Sequence, residues 1–344
     1  MTGFPVKPTK KLNLKTLKED LKTVNLVNNQ GSELQVLNYG AAVLSLKIKD
    51  KAGNKVNVVV SPRAEEFITS VYKEHNKCFG ASVGRYAGRI SNGEFQLDNT
   101  TYKLFQKNDV HLHGGDNGFQ YKIWKVEEEE AAPNPSVKLS YFSQDGEEYY
   151  PGNLQVEVKY TLTENDELLI EYSAKTDKKT VINLTNHTYF NLNGAGSISD
   201  HFLKIKAEKI LEVNKNLLPT GNLTKLKKHP KNFIEGKLIG NRSLDDTYVL
   251  KSDKEEAAAR LFAPLTGIKM EVKTNQKALV AYAPENLPDD LNYHTEIAEE
   301  YPSLCLEAQN FPDAPNFRNF PEAVLKPGEQ YYNWIAYKFS VGGQ

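Results

Sequence analysis

Cysteine is scarce: Cys78 and Cys305 are the only two in 344 residues. They lie far apart in the chain, which indicates neither a disulfide framework nor a Cys-based zinc site. An excess of one charge is also missing. Lys and Arg number 43 against 44 Asp and Glu, a net charge of −1, so there is no electrostatic footprint for nucleic acid or an anionic membrane. No uninterrupted apolar run approaches the ~18 residues of a membrane span. Met1 to Lys15 carries lysines but not the apolar stretch of a secretory signal. These absences point to a cytoplasmic protein without nucleic-acid or membrane partners. What is present is ordinary for a globular chain: 39% hydrophobic and 25% charged residues. A chain of this length buries ~75% of its extended surface and needs no metal or disulfide to hold a core.

The dominant period is two. Val24–Val27, Leu34–Leu37, Ala42–Ile48, Leu154–Tyr160 and Glu167–Tyr172 read as strands. Between them stand turn signals such as Asn29-Gln30-Gly31, Ala52-Gly53-Asn54 and Pro151-Gly152. The 18 Tyr and 15 Phe suit half-buried pleated surfaces. Helix signals are few. Ser61-Pro62 predicts an N-cap and first position for a short helix through about Asn76, and Lys11 to Lys22 can place Leu14, Leu17 and Leu21 on one helical face. Glu127 to Glu130, followed by Ala131 to Pro135, reads as a solvated turn between strands. Many short strands without βα alternation predict an antiparallel all-β sandwich or barrel. No repeat or long linker divides the chain, so residues 1–344 are expected to form one domain, with residues 1–23 as an N-terminal extension.

Seven histidines allow each to be weighed. His75, His201, His229 and His294 sit in polar or lysine-rich surroundings that suit the surface. His111 and His113 share one face if their segment is a strand, a spacing seen in metal sites, but no third and fourth ligand stand nearby, so no metal is expected. In Val181 to Phe190, strand parity puts Asn183, Thr185, His187 and Tyr189 on one face. Such a row suits a polyhydroxylated ligand or a solvated sheet face equally well. Glu307 and Gln309 stand opposite Leu304, Leu306 and Ala308. A carboxylate in that apolar setting is either half of an internal ion pair or a general base in a dry cleft. Asp245-Asp246 offers another acid, or a turn. Arg85 and Arg89, in Val83-Gly84-Arg85-Tyr86-Ala87-Gly88-Arg89, can donate to sugar hydroxyls or a carboxylate, or sit on the surface.

Together these segments resemble the aldose 1-epimerase (galactose mutarotase) family. The match rests on Phe79 to Ile90, Leu112 to Gly115, Asp145 to Gly152, Asn183 to Leu192, Leu218 to Gly221, Leu244 to Asp246 and Leu306 to Ala314, and runs from about Val24 to Phe339. The resemblance implies a large antiparallel β-sandwich with a sugar cleft on one sheet face. It also implies interconversion of the α and β anomers of a free aldohexose such as glucose or galactose, without cofactor or metal, by a monomer or homodimer. Residue by residue it makes Glu307 resemble the catalytic base and His187 the catalytic acid, with Arg89, His113 and Asp245 binding the sugar.

The chemistry fits that division. Anomer exchange removes a proton from O1–H while a proton reaches the ring oxygen, and both transfers reverse after C1 turns over. An unperturbed histidine is protonated about a quarter of the time at pH 7. Asp245 is expected to raise that fraction for His187 and leave Glu307 free to ionise, giving a bell-shaped pH dependence. The chain departs from the family at Gly88, where many members carry Asn, at Val280, where a sugar-contacting Gln often stands, and at Asp246, where many have His. Gln276 lies ~13 Å along the strand from Val280, too far to replace it. These departures bear on substrate preference. Two alternatives remain at this level: a glycoside hydrolase using Glu307 with Asp245, and a non-catalytic sugar-binding protein on the same sandwich. A sugar-phosphate substrate ranks lower, because only Arg85 and Arg89 could form a phosphate cluster.

Overall fold

The computed structural model describes residues 14–251 and 256–342. Two large antiparallel sheets face each other. The nine-stranded sheet runs Lys125–Glu130, Ser136–Ser143, Leu154–Leu162, Glu167–Thr176, Tyr331–Val341, Ile268–Thr274, Ala259–Phe262, Phe202–Ile205 and Lys237–Leu238. The six-stranded sheet runs Tyr189–Phe190, Leu304–Gln309, Ala278–Ala283, Leu244–Leu250, Ala207–Val213 and Pro219–Lys225. A four-stranded meander, Thr23–Val27 to Lys55–Asn57, packs into the same core. All five strands expected from alternation are present, each extended by one to four residues.

The period-two pattern explains the sandwich. In Leu154–Leu162 every second residue is buried, and Val156, Val158 and Tyr160 meet Leu306 and Ala308 of the opposite sheet in one core. Tyr337 crosses the core to donate its hydroxyl to the Leu306 carbonyl at 2.8 Å. Leu304–Gln309 differs, being buried at every position. Its inner residues face the core, and its outer residues, Cys305, Glu307 and Gln309, lie beneath segments that cover the outer face.

Two expectations need correction. The acidic run is no turn: Lys125–Glu130 is the edge strand of the nine-stranded sheet. Its glutamates face solvent or pair with Lys138 and Lys159, and charge on an edge opposes pairing with another chain. The Ser61-Pro62 helix does not form. Residues 64–68 make a 3-10 turn and the helix is Ser70–His75, because Thr69 is its cap, accepting the Tyr72 N–H at 3.1 Å. The N-terminal helix covers Leu14–Asp20, with Leu17 and Leu21 against an apolar cluster that includes Phe67 and Tyr72. The earlier part of that helix expectation, and residues 1–13 of the extension, lie outside the described residues. Among the described residues no helix is long and apolar enough to cross a membrane.

Candidate active site

The outer face of the six-stranded sheet is apolar at its two ends and polar between them. Tyr189 and Cys305 join one apolar cluster with Phe67 and Phe79, and Ala278 joins another with Tyr86 and Phe311. Between the clusters, strand register sets Glu307 beside Val280 and Val280 beside Thr247. Two residues along, Cys305 stands beside Tyr282 and Tyr282 beside Asp245. Same-face neighbours across an antiparallel pair have Cβ atoms ~4.5–5.5 Å apart, so pairing alone gathers residues from distant parts of the chain. Over this patch opens a cleft of about 260 Å³, the scale of one small molecule. Two larger hollows, about 430 and 700 Å³, lie elsewhere and contain none of the candidate residues.

Glu307 and His187 meet in the cleft. His187 sits between the short strands Thr185–Asn186 and Tyr189–Phe190. Its N–H donates to the Ala81 carbonyl at 2.9 Å, and its carbonyl accepts the Gly80 N–H at 3.0 Å. Its Nε2 lies 3.5 Å from Glu307 Oε1, with the side chains only 7% and 3% exposed. Its Nδ1 lies 3.5 Å from Cys305 Sγ. The rings of His113, Tyr189 and Tyr282 surround the imidazole at 5.6, 5.0 and 5.7 Å between centroids.

Burial sets the electrostatics. It pushes the Glu307 carboxyl well above the usual carboxylate range; the nearby Asp245 pushes the same way and Arg89 opposes. Burial also pulls His187 down to about 4, with Lys77 at the rim contributing. This corrects the expectation that Asp245 raises the protonation of His187 and leaves Glu307 free to ionise. The register places Asp245 where its charge acts on Glu307, and the apolar rings around the imidazole disfavour its cation.

His113 parts from His111. The strand stops at Leu112, and His113 adopts a left-handed φ of 50°, which breaks the shared face the spacing predicted. His111 turns inward, bonding the Phe105 carbonyl and the Tyr150 hydroxyl, both at 2.6 Å. His113 lines the cleft, and its Nδ1 accepts the Gly88 N–H at 3.2 Å. Burial, His187 and Arg89 all lower its pKa, so the ring is neutral and carries its proton on Nε2, a donor. Gly88 adopts φ +83°, a region that Asn tolerates better than other side chains. Arg89 reaches the cleft from the next position and donates from Nη2 to Asp245 Oδ2 at 3.1 Å.

Other candidates are structural. Arg85 is 2% exposed and donates to Ser143 Oγ and to the carbonyls of Ser143, Gln144 and Pro151, all at 2.9–3.0 Å. Arg85→Ala is therefore expected to cost about 3–5 kcal/mol, since it strands buried acceptors. A thermal melt reads this, with the turnover of the folded fraction unchanged. The row Asn183, Thr185, His187, Tyr189 forms neither a ligand face nor a solvated one. It is buried, with Asn183 donating to the Ala87 carbonyl at 3.0 Å and Thr185 to the Ala308 carbonyl at 2.9 Å, and only His187 and Tyr189 reach the cleft. His201 is not at the surface: it is fully buried, accepting the Leu192 N–H at 3.0 Å and bonding Asp200 at 2.8 Å. His75 lies at the cleft rim, paired with Asp290 at 2.7 Å. Asp246 turns away from the cleft to pair with Lys231 at 2.8 Å. Among the described residues no group of His, Cys, Asp or Glu is arranged to hold a metal ion.

The structure thus brings Glu307, His187, Arg89, His113 and Asp245 to one cleft. Sequence reading missed Tyr282, Thr247 and Lys77 among its lining residues. Tyr282 and Thr247 lie on ordinary strands whose local pattern carries no signal; only the register to Glu307 and Asp245 reveals them. Comparison with known proteins gives the family. The Aldose 1-epimerase family profile matches residues 22–338. The chain belongs to the aldose 1-epimerase family. It is 36% identical over 340 residues to galactose mutarotase from Sus scrofa, covering 93% of this chain and 95% of that one. To aldose 1-epimerase from Haemophilus influenzae it is 32% identical over 332 residues, covering 92% and 95%. Among solved structures, an aldose epimerase homologue from C. elegans superposes with TM-score 0.85 at 27% identity, over 94% of this chain and all of that one. Galactose 1-epimerase from Lactobacillus acidophilus does so with TM-score 0.81 at 28% identity, over 94% and 95%.

Proposed function

We propose that the protein is an aldose 1-epimerase that interconverts the α and β anomers of a free aldohexose such as glucose or galactose, with Glu307 as base and His187 as acid. The observation that carries this is the 3.5 Å approach of Glu307 Oε1 to His187 Nε2 inside a cleft of single-sugar size. Glu307 takes the proton of O1–H while His187 delivers one to the ring oxygen. The C1–O5 bond breaks and the aldehyde forms. After C1 turns its other face, O5 attacks, His187 recovers its proton and Glu307 returns the other. Nothing is oxidised or reduced. His113 Nε2–H and the Arg89 guanidinium donate to sugar hydroxyls, and the Asp245 carboxylate accepts from one. Every group in this scheme comes from one chain, so a monomer suffices. The two buried free thiols, Cys78 and Cys305, suit a reducing, cytoplasmic setting.

The shifted acidities serve the reaction. A carboxyl pushed up is a stronger base when ionised, and an imidazole pulled down is a stronger acid when protonated, so each transfer runs with more driving force. The pair works while it holds one proton between its members. Below about pH 4 His187 takes up a second proton; above the raised value of Glu307 the shared one is lost. The expected profile of kcat/KM is a bell with its acid limb near pH 4 and its basic limb above the usual carboxylate range. Asp245→Asn removes a negative neighbour of Glu307 and leaves Arg89 unopposed, so the basic limb should move to lower pH. A basic limb that stays put or rises contradicts the assignment.

Polarimetry of freshly dissolved α-D-glucose and α-D-galactose tests the reading. The protein should speed the approach to equilibrium rotation above the buffer rate for at least one of them and release no chromophore from aryl glycosides. Failure to accelerate any aldose overturns it.

A further inference from the structure

Gln309 closes the strand that carries Glu307, two residues further on and on the same outer face, ~7 Å along the strand. It lines the cleft and is 1% exposed. Among the described residues it is the side chain whose amide oxygen and amide nitrogen are both buried without a hydrogen-bond partner. Buried amides are nearly always paired, and one that no protein group meets at either end calls for a partner from outside the chain. Its neighbours explain why no protein group meets it. Across the strand pair stands Ala278, which has no polar group. Val280 beside Glu307 is equally apolar. On the opposite wall Gly88 presents no side chain, and a Cβ built there would lie 3.3 Å from Gln309 Nε2. A polar side chain at either 88 or 280 could engage this amide; the chain has neither.

We infer that Gln309 is a substrate-contacting residue, its amide accepting from one ring hydroxyl and donating to another on the part of the sugar away from O1. Each sugar hydroxyl both donates and accepts, so a vicinal pair completes an amide that presents one acceptor and one donor. The bare wall at Gly88 leaves the space that such a diol fills. The inference rests on the mutarotase reading for the sugar's placement, and it assigns to one side chain the binding role that positions 88 and 280 cannot supply. Specificity follows: a sugar lacking the contacted hydroxyl strands a buried amide again.

The test uses Gln309→Met, which keeps length and volume but not polarity. Two readouts are independent of turnover: calorimetric binding of 1,5-anhydro-D-galactitol and 1,5-anhydro-D-glucitol, which have no anomeric centre to open, and the Gln309 side-chain amide resonances of the wild type during titration with these sugars. The expected result is a Kd raised about 5- to 30-fold for the tighter of the two, a KM for the corresponding aldose raised by a similar factor with kcat within about threefold, and amide resonances that move on saturation. Monodeoxy sugars should include one for which wild type and variant bind alike, identifying the contacted hydroxyl. A variant Kd within twofold of wild type, a lowered Tm with unchanged affinity in the folded protein, or stationary wild-type amide signals would each overturn the inference. If the wild type binds these sugars through Gln309 but accelerates no aldose, the mutarotase reading falls and the contact stands.

Discussion

Glu307→Gln is expected to lower kcat/KM for anomer exchange by about 10³- to 10⁴-fold, at the upper end of general-base effects. The substitution keeps the shape of the side chain and removes its capacity to hold a proton, while the Gln309 amide, Val280 and the rings around His187 stay in place. Binding of 1,5-anhydro-D-galactitol should stay within a few-fold of wild type, because that ligand offers no O1 proton to take. Stability separates this loss from simple unfolding. The folded carboxyl has its pKa raised above the unfolded value, so between those two values the folded protein binds a proton that the unfolded chain does not. Folding stability therefore falls as pH rises through that window. At pH 7 the native glutamate is a burden that glutamine relieves, and the variant's Tm should equal or exceed that of wild type. A variant that keeps more than a tenth of the activity, or loses it together with several degrees of Tm, removes Glu307 from the role of base.

The sheets were legible because their strands obey a strict alternation. Leu154–Leu162 buries every second residue against the opposite sheet, and the written pattern needs nothing from outside the segment to be read. The site was legible in a different way. Strand parity placed Glu307 on the face away from Leu306, but its meeting with His187, and the approach of Asp245 across two strands, are matters of register, which local sequence does not state. The resemblance to a family supplied that gathering, and the structure supplies its physical cause. What failed failed for tertiary reasons. Arg85 reads as a sugar-contacting or surface arginine and His201 as a surface histidine, yet Arg85 is spent on carbonyls some sixty residues away and His201 on the Leu192 N–H. The polar row from Asn183 to Tyr189 was read as one strand face. The backbone there is broken into two-residue strands that spend Asn183 and Thr185 on neighbouring carbonyls. The charge states were inverted for a related reason: a charge count sees Asp245 near a histidine, whereas burial, invisible in the sequence, dominates both groups.

His187→Asn should lower kcat/KM by about 10²- to 10³-fold, less than the loss at Glu307. The difference comes from what can stand in for each group. The ring oxygen can take its proton from water that enters the space vacated by the imidazole, whereas the other carboxylate of the cleft, Asp245, is held by Arg89 and Glu307 is buried at 3% exposure. Loss of the imidazole also removes the group that titrates near pH 4, so the acid limb of the profile should no longer be set there. What remains at low pH is the titration of Glu307 alone, and because that carboxyl is raised, activity should now decline as pH falls through a higher value than in wild type. The plateau shared by two groups becomes a single rise towards alkaline pH, as expected of a lone base that must be ionised to act. Rate measurements from pH 3.5 to 9 on wild type and variant decide it. An unchanged bell in the variant shows that the proton reaching the ring oxygen comes from another group, and the 3.5 Å pair loses its meaning as an acid and a base.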